Sequence, residues 1–219
     1  MARPEGIRIQ NKQLLPSWTV EIMKEMGRLH KKRYEHSIRV GFIAYTLWRG
    51  MMEENHDDRF KPQQNNLLIA GLVHDCGKTG VIDNESLFTW HAHIGAALIY
   101  MFDRDVADII RGHHRWGKGL SKTDRPEYFI DAFARAEASR RDYEVIKKAQ
   151  IVLAVADKAD SIINRGDDGI GGRKVQNEIE TFLRCFGEEL ANDDVSTEML
   201  KRALKLARIT GRHQLRRLL

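Results

Sequence analysis

Two residue types that bind metals stand side by side in the stretch AGLVHDCGKTG, residues 70–80. His74 and Asp75 follow an apolar run, and Lys78 comes three residues later. Imidazole and carboxylate are ligands for divalent transition metals, and an ammonium group nearby can contact an oxyanion held beside them. The same residues also fit a His-Asp pair that ends a helix, with a lysine favoured by the helix dipole. Other parts of the chain must decide between the two interpretations.

Three of the nine histidines share a predicted helical face with apolar residues. The faces are His36 with Val40, Ile43 and Leu47; His74 with Leu67, Ala70 and Gly71; and His91 with Ile94, Leu98 and Met101. His93 falls on a different face from His91. A single histidine of this kind is usually a hydrogen-bonded core residue, but burying three imidazoles costs free energy unless each finds a partner. A shared metal ion supplies that partner.

Further candidate ligands are His113, His114 and Asp157, the last of which follows an apolar run in VLAVADKADSI. Aspartate is almost never fully buried unless it is paired or coordinated. Asp157 is therefore either a ligand or one half of an ion pair with Lys158 or Arg165.

These candidates supply enough ligands for two ions. They divide as follows: His36, His74, Asp75 and Asp157 around one ion, and His91 and His113 around a second, with Asp75 as the bridge. Two ions ~3.5–4 Å apart can bind a bridging water, lower its pKa and clamp a phosphate ester for in-line attack. Mixed imidazole and carboxylate ligands suit Fe, Mn, Co, Ni or Zn.

Candidates for substrate binding lie in two Gly-rich stretches beside the ligands, namely Arg115, Trp116, Lys118 and Arg165. The cations can meet a phosphate and the indole can stack on a base, but each residue also fits an ordinary loop. Asp160 lies one helical turn after Asp157, where it can either orient a ligand or contact the substrate.

Helices must position these side chains, because helical periodicity dominates the chain and β-type alternation is scarce. The pattern predicts one all-α domain with helices over residues 17–29, 35–53, 65–76, 88–101, 104–113, 126–138, 142–164, 173–187 and 195–208. Ser17 is predicted to cap the first helix, and Ser196 or Thr197 to start the last. A chain of 219 residues can bury a core without disulfides, so we expect Cys76 and Cys185 to be free thiols in a reducing compartment.

The composition indicates a cytoplasmic protein with no membrane partner. The N-terminal stretch has no apolar signal core, and the apolar run LLIAGLV is far shorter than the ~20 residues that span a bilayer. The net charge of +5 favours anionic partners such as nucleotides or nucleic acid. A solvated basic helix face explains the same charge.

Five segments, in order along the chain, resemble the HD superfamily of metal-dependent phosphohydrolases. They are RYEHSIRVGFIA, LLIAGLVHDCGKTGVID, HAHIGAALI, IIRGHHRWGKG and VLAVADKADSI. The resemblance implies an all-α helical bundle in which ligands converge from several helices, and hydrolysis of phosphomonoesters or phosphodiesters, usually of nucleotides. The resemblance covers residues 30–165, which we expect to form the core, with an N-terminal helical extension over 1–29 and C-terminal helices over 166–219 that pack on the core.

The resemblance also implies roles for individual residues. It gives one metal to His36, His74, Asp75 and Asp157, and a second metal to Asp75, His91 and either His113 or His114. Lys78 matches the lysine of the family's HDxGK motif, which implies a contact with the substrate phosphate or with the bridging water.

Within the superfamily the chain is most similar to the HD-GYP branch, where the histidine pair opens HHExxDGxGYP. Here the sequence is HHRWGKGL, which keeps the histidines and glycines but lacks the acidic residues and the GYP. Lys32 stands where some members carry a glutamate that supports a third metal.

Three functions are compatible with this pattern. The first is a binuclear phosphohydrolase acting on a nucleotide-like substrate. The second is a cyclic di-GMP-type phosphodiesterase, against which the missing GYP speaks. The third is a non-catalytic module in which metal staples the helices while the basic C-terminus binds nucleic acid or a protein, against which the presence of Lys78 speaks.

Overall fold

The computed structural model describes residues 15–55, 60–79, 90–114, 143–164, 172–189 and 196–213. These residues form eight α-helices and no β-strand: α1 Ser17–Leu29, α2 Lys31–Asn55, α3 Gln63–Val73, α4 His91–Ile99, α5 Arg104–Gly112, α6 Tyr143–Asn164, α7 Gly172–Glu189 and α8 Thr197–His213. The all-α prediction is therefore confirmed. The helix predicted over residues 126–138 lies outside the described residues. Across the described ranges, no helix combines the length and apolar character that crossing a bilayer requires.

Helix α3 ends three residues earlier than the sequence pattern predicts. The helix stops at Val73, His74 and Asp75 form a turn, and a short 3₁₀ turn follows over Cys76–Lys78. The backbone of Asp75, at φ −93° and ψ 6°, has the conformation of a turn rather than of a helix interior. The adjacent ligand pair thus lies in the turn after the helix, and the predicted helix over 65–76 is wrong at its end.

Helix α1 spans residues 17–29 as predicted, but its predicted cap is wrong, whereas the predicted start of α8 is correct. The Ser196 hydroxyl accepts a hydrogen bond from the Met199 backbone N–H at 3.1 Å, which caps α8. Ser17 is instead the first residue of α1 and makes no capping bond, because Pro16 occupies the cap position. The Pro16 carbonyl accepts the backbone N–H of Thr19 at 3.0 Å.

Helices α2 and α6 form the centre of the fold. Helix α2 packs against α1, α3, α6 and α8, whereas α6 packs against α2, α3, α5, α7 and α8. On α2 the predicted inward face is confirmed, since His36, Val40, Ile43 and Leu47 are all buried. The division into a core and two flanking segments stays a prediction. Cys76 and Cys185 are both free thiols.

The predicted inward face of α4 is only partly correct. His91 is buried, but Leu98 is 55% exposed and Met101, beyond the helix end, is 85% exposed. The buried face instead carries His91 with Ala92, Gly95, Ala96 and Ile99. The side chains on this face are small because α4 packs closely against the 3₁₀ turn. A Cβ added to Gly95 would lie only 3.2 Å from the Cys76 Sγ atom.

Two glycines allow α2 and α3 to approach each other closely. A Cβ on Gly71 would overlap the backbone of Gly41, and a Cβ on Gly41 would lie only 3.1 Å from the Leu68 carbonyl oxygen. This contact sets the spacing of the ligands that the two helices carry. The ring centroids of His36 and His74 lie 5.2 Å apart.

Candidate metal centre

Seven candidate ligands converge in the interior of the described structure. They come from α2 (His36), the turn after α3 (His74, Asp75), the first residue of α4 (His91), the turn after α5 (His113, His114) and α6 (Asp157). Their ligand atoms form three groups, each with all atoms within 4.8 Å of one another: His36, His74 and Asp75; His74, His113 and Asp157; and His91, His113 and His114. The groups overlap, which makes the cluster one continuous site.

Two helix ends orient histidines toward the centre of this site. The Nδ1 of His74 lies 2.8 Å from the Gly71 carbonyl, and the Nδ1 of His113 lies 2.5 Å from the Ile110 carbonyl. Each contact donates an Nδ1–H to a carbonyl in the last turn of a helix, where carbonyls lack their usual helical partner; the Ile110 carbonyl also accepts the His113 backbone N–H at 3.3 Å. In this tautomer the Nε2 lone pair is available to a metal.

The Nε2 atoms of these two histidines show that the residues fit a metal. Both imidazoles are essentially fully buried, and among the described residues neither Nε2 atom has a hydrogen-bond partner. A buried polar atom without a partner costs about 1–3 kcal/mol. A divalent cation bound by the two nitrogens would remove this cost.

His91 and His114 meet through the same ring atoms. Their Nε2 atoms lie 2.8 Å apart, so either one nitrogen donates to the other or both face a common cation. The structure thus places both members of the His113-His114 pair beside His91, and each belongs to a group able to hold metal.

The two carboxylates are held in the ionised form that binds metals. Burial alone would raise the pKa of Asp75, but the neighbouring Lys78, His74 and His91 side chains hold it well below its ordinary value. The Lys78 Nζ lies 2.6 Å from Asp75 Oδ1, and the His91 Nε2 lies 3.3 Å from the same oxygen. Asp157 behaves likewise: against the effect of burial, His36 and His74 hold its pKa well below the ordinary range.

Two histidines are held in the neutral form. Burial, followed by the nearby His74 and His91, holds the pKa of His113 well below its ordinary value. Burial and the neighbouring His113 and His91 do the same for His114. Neutral imidazoles have the free lone pair that a metal ligand needs.

His36 stands between two carboxylates. Its Nδ1 lies 2.6 Å from Asp160 Oδ2, and its Nε2 lies 3.0 Å from Asp157 Oδ1. Burial lowers the pKa of His36, but the two aspartates outweigh that effect and raise it to about 9. A cation that binds at Nε2 therefore has to displace a proton.

Lys78 is buried and directed into the cluster, as its 2.6 Å contact with Asp75 shows. It is the last residue of the 3₁₀ turn, and its carbonyl accepts a hydrogen bond from Arg33 Nη1 at 3.3 Å. The turn passes so close to α4 that a Cβ on Gly77 would overlap the His91 carbonyl. The absence of a side chain at Gly77 thus brings Lys78 and Asp75 beside His91.

Of the other candidate residues, Asp157 and Asp160 are described by the structure and four are not. Asp157 faces His36 and His74, at 3.0 and 3.7 Å from their Nε2 atoms. Asp160 is buried and hydrogen-bonded to His36 rather than turned to an open space. Four proposed substrate contacts lie outside the described residues: Arg115, Trp116, Lys118 and Arg165.

Two residues that contact Asp160 at this site were not predicted from the sequence. Arg39 donates hydrogen bonds to both oxygens of Asp160, and Asn164 donates to one of them. Their spacing could have indicated them, since Arg39 lies three residues after His36 and Asn164 lies four after Asp160, which places each pair on one helical face. Because both are polar residues near helix ends or partly exposed faces, the sequence alone did not separate them from surface residues.

Comparison with known proteins places this site in a family. The model of the HD domain matches residues 33–162, which is more than half of the chain and includes all seven candidate ligands. Comparisons with curated proteins and with solved structures found no significant match. HD domains bind divalent metals and are typically metal-dependent hydrolases. The chain belongs to the HD-domain family.

Proposed function

We propose that the chain is a metal-dependent phosphohydrolase that cleaves a phosphoester of a nucleotide-like substrate. One observation carries this proposal: five histidines and two aspartates converge, and a buried lysine contacts one of the aspartates. A structural metal site is usually closed by four ligands. Seven ligand side chains exceed that need and fit a centre of two ions.

We propose a division of the ligands between two ions in which Asp75 is shared. One ion would be held by His36, His74, Asp75 and Asp157, and the other by Asp75, His91, His113 and His114. Divalent Fe, Mn, Co, Ni or Zn suits these ligands, and would supply Lewis acidity that polarises a phosphoryl oxygen and lowers the pKa of a water.

The protein's own groups hold this chemistry in place. The Lys78 ammonium, beside Asp75, is positioned to contact an oxygen of the phosphoryl group as negative charge develops there. The Nδ1 contacts of His74 and His113 with helix carbonyls fix both rings before any substrate arrives. Asp160, whose oxygens are both engaged, is assigned to the support of His36 rather than to the substrate.

An anionic substrate is consistent with the charge of the chain. The net charge of +5 favours a phosphate-bearing molecule, and Arg115, Trp116 and Lys118 directly follow the histidine pair. We propose that these residues and Arg165 contact the substrate, with the cations at phosphate and the indole at a base.

Metal content and hydrolysis together test the function. The full chain is loaded with Mn²⁺, Fe²⁺, Co²⁺, Ni²⁺ or Zn²⁺, its metal is counted, and it is assayed on phosphomonoesters, phosphodiesters, nucleotides and a cyclic dinucleotide. H91Q should lose metal and hydrolysis, because His91 lies in the cluster. H93Q, in the same helix two residues later and outside the cluster, is the matched control and should keep both.

The outcomes separate the alternative functions. Turnover of the cyclic dinucleotide alone would favour a signalling phosphodiesterase of the HD-GYP kind. No turnover of any ester, together with salt-sensitive nucleic-acid binding that persists in H91Q, would replace the enzyme with a metal-stapled binding module. Equal metal content in H91Q and the parent would contradict the proposed centre itself.

A further inference from the structure

Asp160 uses both carboxylate oxygens in the interior of the protein. Its Oδ2 lies 2.6 Å from His36 Nδ1 and accepts from Arg39 Nη2 at 3.1 Å. Its Oδ1 accepts from Arg39 Nε at 2.7 Å and from Asn164 Nδ2 at 2.7 Å. The Asp160 side chain is only 1% exposed, and a buried carboxylate is tolerated only when it is paired and hydrogen-bonded in this way.

Asn164 connects this carboxylate to helix α8. Its Nδ2 also donates to the backbone carbonyl of Ala207 at 3.2 Å. One turn further along α8, a Cβ on Gly211 would overlap the Asn164 Oδ1 atom. The backbone of α8 therefore fits against the Asn164 amide on two sides.

This connection extends beyond the part of the chain that matches the HD domain. The match ends at residue 162, whereas Asn164 is the last residue of α6 and α8 begins at Thr197. The path of contacts runs from α8 through Asn164 and Asp160 to His36, a proposed metal ligand.

We propose that Arg39, Asp160 and Asn164 form a positioning network for His36, and that α8 completes it. The carboxylate accepts the Nδ1–H of His36, which fixes the ring and leaves Nε2 to bind the ion. Helix α8 thus contributes to metal affinity although it holds no ligand. This inference rests on the proposed metal centre, and concerns affinity for the ion rather than turnover.

Zn²⁺ affinity of the full chain, measured by competition with a chromophoric chelator, tests the network. D160N should bind Zn²⁺ about 10–100-fold more weakly, the usual effect of altering a partner of a ligating histidine. N164A keeps the carboxylate but loses both amide contacts, so it should weaken binding by a smaller factor. N164A also provides an independent result where D160N fails to fold.

A matched pair of glycine substitutions tests the contribution of α8. G211A pushes a methyl group into the Asn164 amide, whereas G187A, on α7, has no atom within 4 Å of its new Cβ. G211A should weaken Zn²⁺ binding about 2–30-fold, the range for mutations that act through an intervening network. G187A should leave it unchanged, with thermal unfolding showing that both variants are folded.

Nitrogen-15 NMR of the Zn²⁺-loaded protein adds a readout at the His36 ring itself, and the exchange of backbone amides elsewhere in α2 and α6 serves as the reference for a general loss of stability. The Nδ1–H of His36 should exchange slowly with water in the parent and in G187A, and faster in N164A and G211A. Unchanged affinity and unchanged exchange in folded N164A and G211A would overturn the network. A parent that binds Zn²⁺ in this network-dependent way but hydrolyses no ester would overturn the proposed function and support the network.

Discussion

The histidines of the site differ in what holds their rings. Nδ1 faces a backbone carbonyl in His74 and His113 and the Asp160 carboxylate in His36. In each case the contact leaves Nε2 directed toward the cluster. Residue chemistry of this kind is local, and two predictions follow from single side chains beside the ligands.

The first concerns Lys78. K78M removes the buried ammonium 2.6 Å from Asp75 while leaving every candidate ligand in place. We expect metal to be retained and kcat to fall about 10²–10³-fold, the usual effect of deleting one group that stabilises transition-state charge. Metal analysis and steady-state kinetics on the best substrate of the ester panel provide the measurement.

The matched control for Lys78 is K24M, which removes an exposed lysine on α1. It should leave kcat unchanged. If K78M also kept full kcat, Lys78 would serve only as a partner of Asp75.

The second prediction concerns Cys76, a buried thiol adjacent to Asp75. Burial, followed by the negative charge of Asp75, raises its pKa to about 12. Since the thiolate is the reactive form, roughly one molecule in ten thousand is reactive at pH 8. Iodoacetamide should therefore modify the half-buried Cys185 well before Cys76, as peptide mass spectrometry would show.

Unfolding provides the control for this prediction. In guanidinium chloride both cysteines should react at similar rates, because burial and the nearby carboxylate no longer act on Cys76. Equal reactivity in the folded protein would show that the α3–α4 region opens readily.

At the scale of elements, the site depends on how closely helices approach. The 3₁₀ turn fits against α4 because Gly77 has no side chain, and α3 fits against α2 because Gly41 and Gly71 have none. These contacts bring together ligands that are far apart along the chain. A methyl group at the crossing should disturb stability and site together.

G71A tests this dependence. The new Cβ overlaps the Gly41 backbone, so the helices must separate, and we expect the free energy of unfolding to fall by about 1–3 kcal/mol. Zn²⁺ affinity should fall as well, because His36 and His74 lie on either side of the crossing. Chemical denaturation and chelator competition measure the two effects.

The same substitution at Gly187 is the control that separates steric overlap at the helix crossing from the effect of alanine on helix propensity. G187A meets open space and should raise stability slightly, since alanine is a better helix former than glycine. A G71A variant as stable as G187A would contradict the close approach of α2 and α3.

At the scale of the whole molecule, the proposed metal centre takes its ligands from elements that lie far apart along the chain. Ligands from α2, α4 and α6 and from the turns after α3 and α5 meet at one place. A ligand that binds only the folded state stabilises it by RT ln(1 + L/Kd), where L is the free ligand concentration. Metal binding should therefore act on the stability of the entire fold.

Thermal unfolding with and without metal tests this expectation. At a free Zn²⁺ or Mn²⁺ concentration about 100 times its Kd, stabilisation should reach about 2.7 kcal/mol, or roughly 5–11 °C in Tm for a chain of this size. A chelator should reverse the shift. D75A should show no shift, since the proposed bridging carboxylate is absent, and a full shift in D75A would contradict that role.

Much of the site was predictable from residue types and periodicity. The candidate ligands, their order, the helical class and the inward face of His36 all depend on local pattern. Hydrophobic periodicity indicates which side of a helix is buried, and residue type indicates which chemistry a side chain can perform. Both are properties of short segments, so they are readable without knowing where the segments lie in space.

Only the tertiary structure decided which atoms meet. It placed both His113 and His114 beside His91, ended α3 before the His74-Asp75 pair, and engaged both Asp160 oxygens with Arg39, His36 and Asn164. It also exposed Leu98, which the apolar pattern placed inside. These outcomes depend on distances between helices, which are set by close packing at small residues such as Gly71 and Gly77, and no local pattern in the sequence contains those distances.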